Sequence, residues 1–293
     1  MLVSEIIDRT FHDWLYPAGI NRPPFGLLEA DIGAGDTSLA VSDRITVPQD
    51  SVLEIDDELI LVQSSQSGTV TANERGYLGS TAAAHVTGDK VFLDPIFSRW
   101  MVFKILCDLV RDLPGQGVYA RTVDTSSLTW TRGVVALPAG AVRLLKLSVR
   151  RPLSYEDYRR LRPEKGEYEP LYEFDPPKVR LIRGGYETAE MIVTYSKDFT
   201  VPTSVDDDIT TDCDVPASLA SHFPVGIAGS ILRSRELPRV LVEEVKRLLA
   251  AQGVQIGAAL NVGAALFHMY EQYVDVEYRR LRMLDPVSFE RTY

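Results

Sequence analysis

The stretch Glu54–Asp94, EIDDELILVQSSQSGTVTANERGYLGSTAAAHVTGDKVFLD, decides how this chain is read. Leu59, Leu61 and Val62 lie in a β-rich run, and Thr69–Thr71 is a second, β-branched one. Branched side chains suit the pleated surface of a strand. Arg75-Gly76 and Gly79-Ser80 interrupt the pattern. Ala82–His85 is a run of small residues closed by a histidine, and Gly88-Asp89 turns the chain into Lys90-Val91-Phe92. Short strands separated by glycine-containing turns predict the hairpins of a small antiparallel barrel or sandwich. So compact a series leaves no room for a catalytic centre, and its histidine and glycines are expected to serve turns and packing.

Working outward, residues 2–16 read as a helix with one apolar face formed by Ile6, Ile7, Phe11, Trp14 and Leu15. Tyr16-Pro17 and Arg22-Pro23-Pro24 stop it. After the β region, Pro95 is placed to open a second helix that ends near Leu113-Pro114-Gly115. Residues 116–200 return to β character, with candidate strands at Tyr119–Val123, Thr129–Val135, Val142–Val149, Tyr168–Phe174, Val179–Arg183 and Glu190–Tyr195. Leu153–Leu161 has the cap and acidic first turn of a short helix. A third helix is expected over about 216–235. A fourth, long one is expected over roughly 238–282, bent or interrupted around Gly253–Gly257, with Ala258, Ala259, Ala264 and Ala265 permitting close helix approach. The fold class predicted is α+β: a four-helix bundle (1–24, 95–115 and 215–282) carrying two antiparallel β insertions (25–94 and 116–205), a long C-terminal helix and a docking tail, 283–293.

The bulk numbers bound the function. At 293 residues, 45% hydrophobic and 25% charged, the chain is ordinarily globular. A formal net charge of −10 argues against a general nucleic-acid binder, yet suits a channel wall along which DNA slides without adhering. The two cysteines, Cys107 and Cys213, are too few for a disulfide framework. The N-terminus lacks the basic and apolar regions of a signal peptide, and Val254–Phe267 is too short to span a bilayer, so a soluble protein made inside the cell is expected, with no membrane partner.

Candidate chemistry is sparse, and no catalytic residue, cofactor or metal is expected. His12, His85, His222 and His268 show no metal-ligand spacing among themselves. Asp206, Asp207, Asp208, Asp212 and Asp214 lack the glycine and final glutamate of a calcium loop; a solvated acidic loop before a helix is the plainer reading, and a divalent cation the alternative. Gly33-Ala34-Gly35-Asp36 lacks the lysine of a phosphate loop and reads as a turn. Ser221-His222 has no nucleophile elbow around it. Arg150 and Arg151, mixed with the acidic residues that follow, read as an interface or a solvated face. Arg279, Arg280 and Arg282 either complement a helix dipole or meet an acidic partner. With Tyr270, Tyr273, Tyr278, Phe289 and Tyr293 they give the C-terminus the composition of a docking surface.

The opening stretch also resembles a known family. The residues Glu58, Leu59, Ile60, Val62, Thr69, Val70, Arg75, Gly76, Gly79, Ser80, Thr81, Ala83, Ala84, His85, Gly88 and Val91 form the run E-x-I-x-V … T-V … R-G-x-x-G-[ST]-x-A-A-x-H-x-x-G-x-x-V. This run is similar to β-modules of structural proteins in tailed bacteriophages. Together with the expected helices, it resembles the head-to-tail adaptor (connector) family. The resemblance implies a non-enzymatic virion protein assembled in the host cytoplasm, forming a ring of about twelve copies under the portal and extending the DNA channel toward a tail or neck protein. It places the portal contact on Arg279, Arg280, Arg282, Leu284, Phe289 and Tyr293. A minor tail or baseplate protein using the same module is the alternative, and a tail-associated carbohydrate-active enzyme, with two carboxylates across a cleft, is the alternative of another class.

Overall fold

The computed structural model describes residues 1–17, 23–124, 134–150, 160–161, 168–171, 173–174, 176–181, 190–233, 239–251 and 261–283. The chain divides into two compact units. The first comprises Met1–Leu109, Ser204–Asp206 and Ser221–Gln272; the second comprises Val110–Thr203, Asp207–Ala220 and Tyr273–Tyr293.

The first unit is built on six strands: β1 (Phe25–Leu27), β2 (Ser38–Ala40), β3 (Val52–Ile55), β4 (Glu58–Gln66), β5 (Thr69–Arg75) and β6 (Lys90–Leu93). They form one antiparallel sheet in the order β1-β6-β3-β4-β5-β2. The sheet curls until its edge strands meet. Leu28 bridges Val41, and Glu29 N–H donates to the Ala40 carbonyl at 2.8 Å. Strand β5 shows why the curl is stable: Val70 and Ala72 point inward while Asn73 and Glu74 stay in water. The inward set, with Leu53, Ile55, Ile60 and Val91, makes a core enclosed by the sheet itself. Register is pinned at the β4–β5 hairpin, where Ser67 (φ +50°) and Gly68 (φ +81°) both adopt the left-handed conformation that a two-residue turn needs.

Helices flank this sheet in the sequence. α1 (Val3–Thr10) buries Val3, Ile6 and Ile7, and continues into a π-helical turn over Phe11–Leu15, closed by Tyr16 N–H on the Phe11 carbonyl at 2.7 Å. α2 (Arg99–Asp112) starts four residues after Pro95, because Ser98 accepts the Met101 N–H and so caps the helix there.

In the second unit, β7 (Ala120–Asp124), β9 (Ala141–Arg150), β10 (Arg160–Leu161) and β13 (Glu190–Lys197) form a sheet in the order β10-β9-β13-β7. A second sheet, β11-β12-β8, comprises β8 (Val134–Ala136), β11 (Tyr168–Leu171) and β12 (Lys178–Leu181). Leu144, Leu147 and Val193 of one sheet share a core with Val135 and Val179 of the other. Arg160–Leu161, expected at the end of a helix, pairs as a strand with Val149 and Arg150; the remainder of that expected helix lies outside the described residues.

The C-terminal helices are α3 (Ala217–Ala220), α4 (Phe223–Arg233), α5 (Arg239–Ala251) and α6 (Val262–Met283). The expected third helix is therefore two, broken at Ser221-His222. The long fourth helix is described as α5 and α6, and Gly253–Gly257 with Ala258 and Ala259 lie outside the described residues. Close approach is made by glycine: a Cβ on Gly229 would lie 2.5 Å from the Phe267 backbone nitrogen, and one on Gly263 only 2.1 Å from that of Arg233.

The four-helix bundle expected from the sequence is not what the chain forms. It is a mixed α and β protein in which antiparallel sheets predominate and enclose their own cores. Ile6, Ile7, Trp14 and Leu15 of the first apolar stripe are buried, but a stripe does not specify whether a helix or a sheet covers it. Among the described residues no helix is long and apolar enough to cross a membrane.

Candidate functional site

Glu58, Arg75 and His85 come from the first residue of β4, the last of β5 and the segment before β6, and they meet inside the first unit. Arg75 donates from Nε and Nη2 to the two oxygens of Glu58, at 2.6 and 2.8 Å. Its remaining donors reach the carbonyls of Gly33 (3.1 Å), Asp36 (2.6 Å) and Ala83 (2.7 Å). All five guanidinium N–H groups are thereby used, which a planar fork permits and an ammonium does not. Glu58 also accepts the N–H groups of Gly76 (3.2 Å) and Ala83 (3.1 Å), and His85 Nε2 at 2.9 Å.

The side chains of Glu58, His85 and Arg75 are 0%, 2% and 7% exposed, so this is a buried ionic network. Burial alone would raise the Glu58 pKa, but the bonds from Arg75, His85 and Ala83 outweigh it and bring it down to about 2. Glu58 is thus an acceptor only, so His85 Nε2 carries the proton between them. The Glu58 bond, working against burial, also holds the His85 pKa above its usual value. On the other ring nitrogen, Nδ1 faces Asp56 Oδ2 at 3.3 Å. Every strong donor of Arg75 is satisfied by protein, so the network locks the module.

Glu58, Arg75, Gly76, Ala83 and His85 of the sequence motif meet in this lock. Gly76 sits at φ +68°, and a Cβ there would be 2.7 Å from the Ser80 carbonyl oxygen. Ser80 Oγ accepts the Leu59 N–H at 2.9 Å. The Gly33–Asp36 segment is a turn, as expected, closed by the Gly33 N–H on Asp36 Oδ2 at 2.7 Å, and its carbonyls receive Arg75. From the sequence His85 is expected to serve turns and packing, and Glu58 has no expected partner. The three charged groups are 17 and 27 positions apart, beyond any helical or strand period.

One group of side chains in the first unit has the composition of a metal centre. Asp56, His85 and Asp89 each offer a ligand atom, all within 4.8 Å of one another.

A recess of about 330 Å³ lies elsewhere in the first unit. Phe11, Tyr16, Phe25, Phe92 and Phe97 give it an aromatic wall, Asp8 and Arg99 supply charge, and Glu54 adds a buried carboxyl. Tyr16 stacks on Phe11 at 5.4 Å, and its hydroxyl donates to the Phe97 carbonyl at 3.2 Å; burial pushes its pKa up to about 12. Glu54 accepts the backbone N–H of Arg99 at the start of α2. Its burial outweighs that bond and raises its pKa to about 8. Arg99 in turn reaches Asp8 at 2.5 Å and Asp57 at 3.2 Å, tying α2 to α1 and to the β3–β4 turn.

The other sequence-predicted positions are dispersed. Arg279 pairs with Asp275 at 2.6 Å and Arg280 with Glu277 at 3.2 Å, both within α6. Arg282 stands in the last turn of α6, and Leu284, Phe289 and Tyr293 lie outside the described residues. The acidic run folds onto its own backbone: Asp207 accepts from Thr203, Asp208 from Thr210 and Thr211, and Asp212 from the Asp208 N–H at 2.7 Å. Asp214 pairs with Lys197 at 2.7 Å. Neither protein-family models nor curated proteins match this sequence.

Proposed function

We propose that the chain is a structural protein of a tailed-phage virion, a head-to-tail adaptor that assembles as a ring beneath the portal. The observation that carries this reading is the Glu58–Arg75–His85 lock. Glu58, Arg75, Gly76, Ala83 and His85, five of the residues through which the chain resembles phage β-modules, close it together. The net charge of −10 supports a surface past which DNA moves without binding.

The helices carry less of this reading than a bundle would have, because the bundle is not formed. What favours the neck over the tail is the C-terminal helix and the segment after it. The Arg279 and Arg280 side chains are 72% and 60% exposed; Arg279 pairs with Asp275 on the same helix, and Arg280 with Glu277 of that helix and with Ser218 Oγ of α3 at 3.2 Å. The exposed Arg279–Asp275 pair contributes little, about 0–1 kcal/mol, so Arg279 can exchange it for a carboxylate of a portal protein at little cost, whereas the Glu277 partner of Arg280 is buried. Arg282, Leu284, Phe289 and Tyr293 complete the proposed contact. A second reading, a minor tail or baseplate protein, is favoured by the way the module encloses its own core and so serves as a spacer in either place.

The test is the mass of the purified full-length assembly, alone and mixed with portal. A ring that forms on or binds to the portal supports the adaptor. A trimer indifferent to portal, or a monomer that cleaves a glycan, overturns it.

A further inference from the structure

We propose that Asp56, His85 and Asp89 bind a first-row divalent metal ion of the zinc or manganese type, which clasps the β3–β4 turn to the turn before β6. This inference is independent of the virion reading.

Three observations carry it. First, the ligand atoms converge from two separate turns to within 4.8 Å of one another. Bonds of about 2.0–2.2 Å to one ion require only a modest further closure. Asp56 can provide it by a turn of its side chain, which is 69% exposed, whereas the His85 side chain is 2% exposed. Second, His85 is oriented as ligating histidines are. Its Nε2 donates to the buried Glu58 carboxylate at 2.9 Å, which leaves Nδ1 directed at Asp56. A carboxylate on the far nitrogen fixes the ring and raises its donor strength toward a metal. Third, Asp89 is already positioned, since its Oδ2 accepts the Val86 N–H at 2.8 Å. One imidazole and two carboxylates suit zinc or manganese, with water completing the coordination. The ion would sit at the outer end of the Arg75–Glu58–His85 chain of bonds and extend the lock to the surface.

The experiment uses the full chain after chelator treatment, titrated calorimetrically with Zn²⁺ and with Mn²⁺. Asp56→Asn and Asp89→Asn are the variants; asparagine keeps an acceptor oxygen at both positions and tolerates the φ of +51° at Asp56. Saturable 1:1 binding that weakens at least about tenfold in each variant supports the site. A second readout needs no variant: Mn²⁺ should broaden the ring resonances of His85 before those of His12, His222 and His268. Unchanged affinity in both variants, equal broadening of all four histidines, or no saturable binding would overturn the proposal.

Discussion

Arg75 closes on Glu58 through two parallel hydrogen bonds of 2.6 and 2.8 Å, with neither side chain more than 7% exposed. Such a pair contributes modestly as a whole, because both charges were desolvated to make it. Removing one partner is different, since it strands the other. Arg75→Ala should destabilise the first unit by about 3–5 kcal/mol. Arg75→Lys should recover little of it, because an ammonium cannot supply five donors in one plane. Denaturant titration followed by fluorescence would read this; a loss under about 1 kcal/mol for the alanine variant would refute the lock.

Gly76 offers a sharper probe, since the change is a single methyl group. At φ +68°, with the Ser80 carbonyl oxygen 2.7 Å from the position of a Cβ, Gly76→Ala must shift the segment that positions Ser80 and Ala83. A cost of about 1–3 kcal/mol is expected. Gly79→Ala shares the positive φ but meets nothing within 4 Å, so it should cost less; equal costs would count against the steric argument.

Glu54 sets a pH dependence. Its pKa is raised from 4.5 to about 8 in the folded chain, so between those values the folded state holds a proton that the unfolded state has released. The stability it contributes is complete below about 4.5 and is lost as the pH rises through about 8. Glu58 acts in the opposite sense: its contribution is complete above 4.5 and is lost as the pH falls toward about 2. Glu54→Gln should therefore flatten the stability profile on the neutral side and leave the acid side unchanged. Melting temperatures across that range, measured with chelator present, test this; parallel profiles for the two proteins would refute it.

The glycine contacts between α4 and α6 make a separate prediction. Gly229→Ala and Gly263→Ala place a methyl group against backbone, not against a side chain that can swing away. Each should cost at least about 1–3 kcal/mol. Gly35→Ala, with nothing within 4 Å, serves as the control. Thermal melts with no difference between the three would show that the helices can separate without penalty.

For the proposed portal contact, deletion of residues 284–293 leaves α6 whole. The shortened chain should keep its circular dichroism spectrum and melting temperature while losing portal binding in sedimentation. Undiminished binding would move the contact elsewhere.

The first β-module was legible because its signals are local. Alternation in β4 and β5, glycines at the turns and the Gly33–Asp36 turn all follow from neighbours in the chain. Caps moved the helix boundaries: Pro95 is an acceptable start, but Ser98 supplies the hydrogen bond, so α2 begins at Arg99. The bundle was a misreading of a different kind. Val102, Phe103 and Leu106 mark a buried face without naming what buries it. The lock was hidden for a related reason. Glu58 opens a strand, where an acidic residue looks like an exposed edge, and only the return of the chain at Arg75 and His85 makes it an interior group.

Because Arg75 gathers Gly33, Asp36, Glu58 and Ala83, its bonds reach as far as 42 residues along the chain. None of the hairpins can complete it alone. The ordering entropy of the β2, β4 and β5 segments must be met before the network returns any enthalpy, so it is expected to form late. The amide protons of Gly76 and Ala83, both held by Glu58, should accordingly exchange with solvent at the rate of global opening. A few charged atoms thus tie together segments of the module that no single hairpin joins.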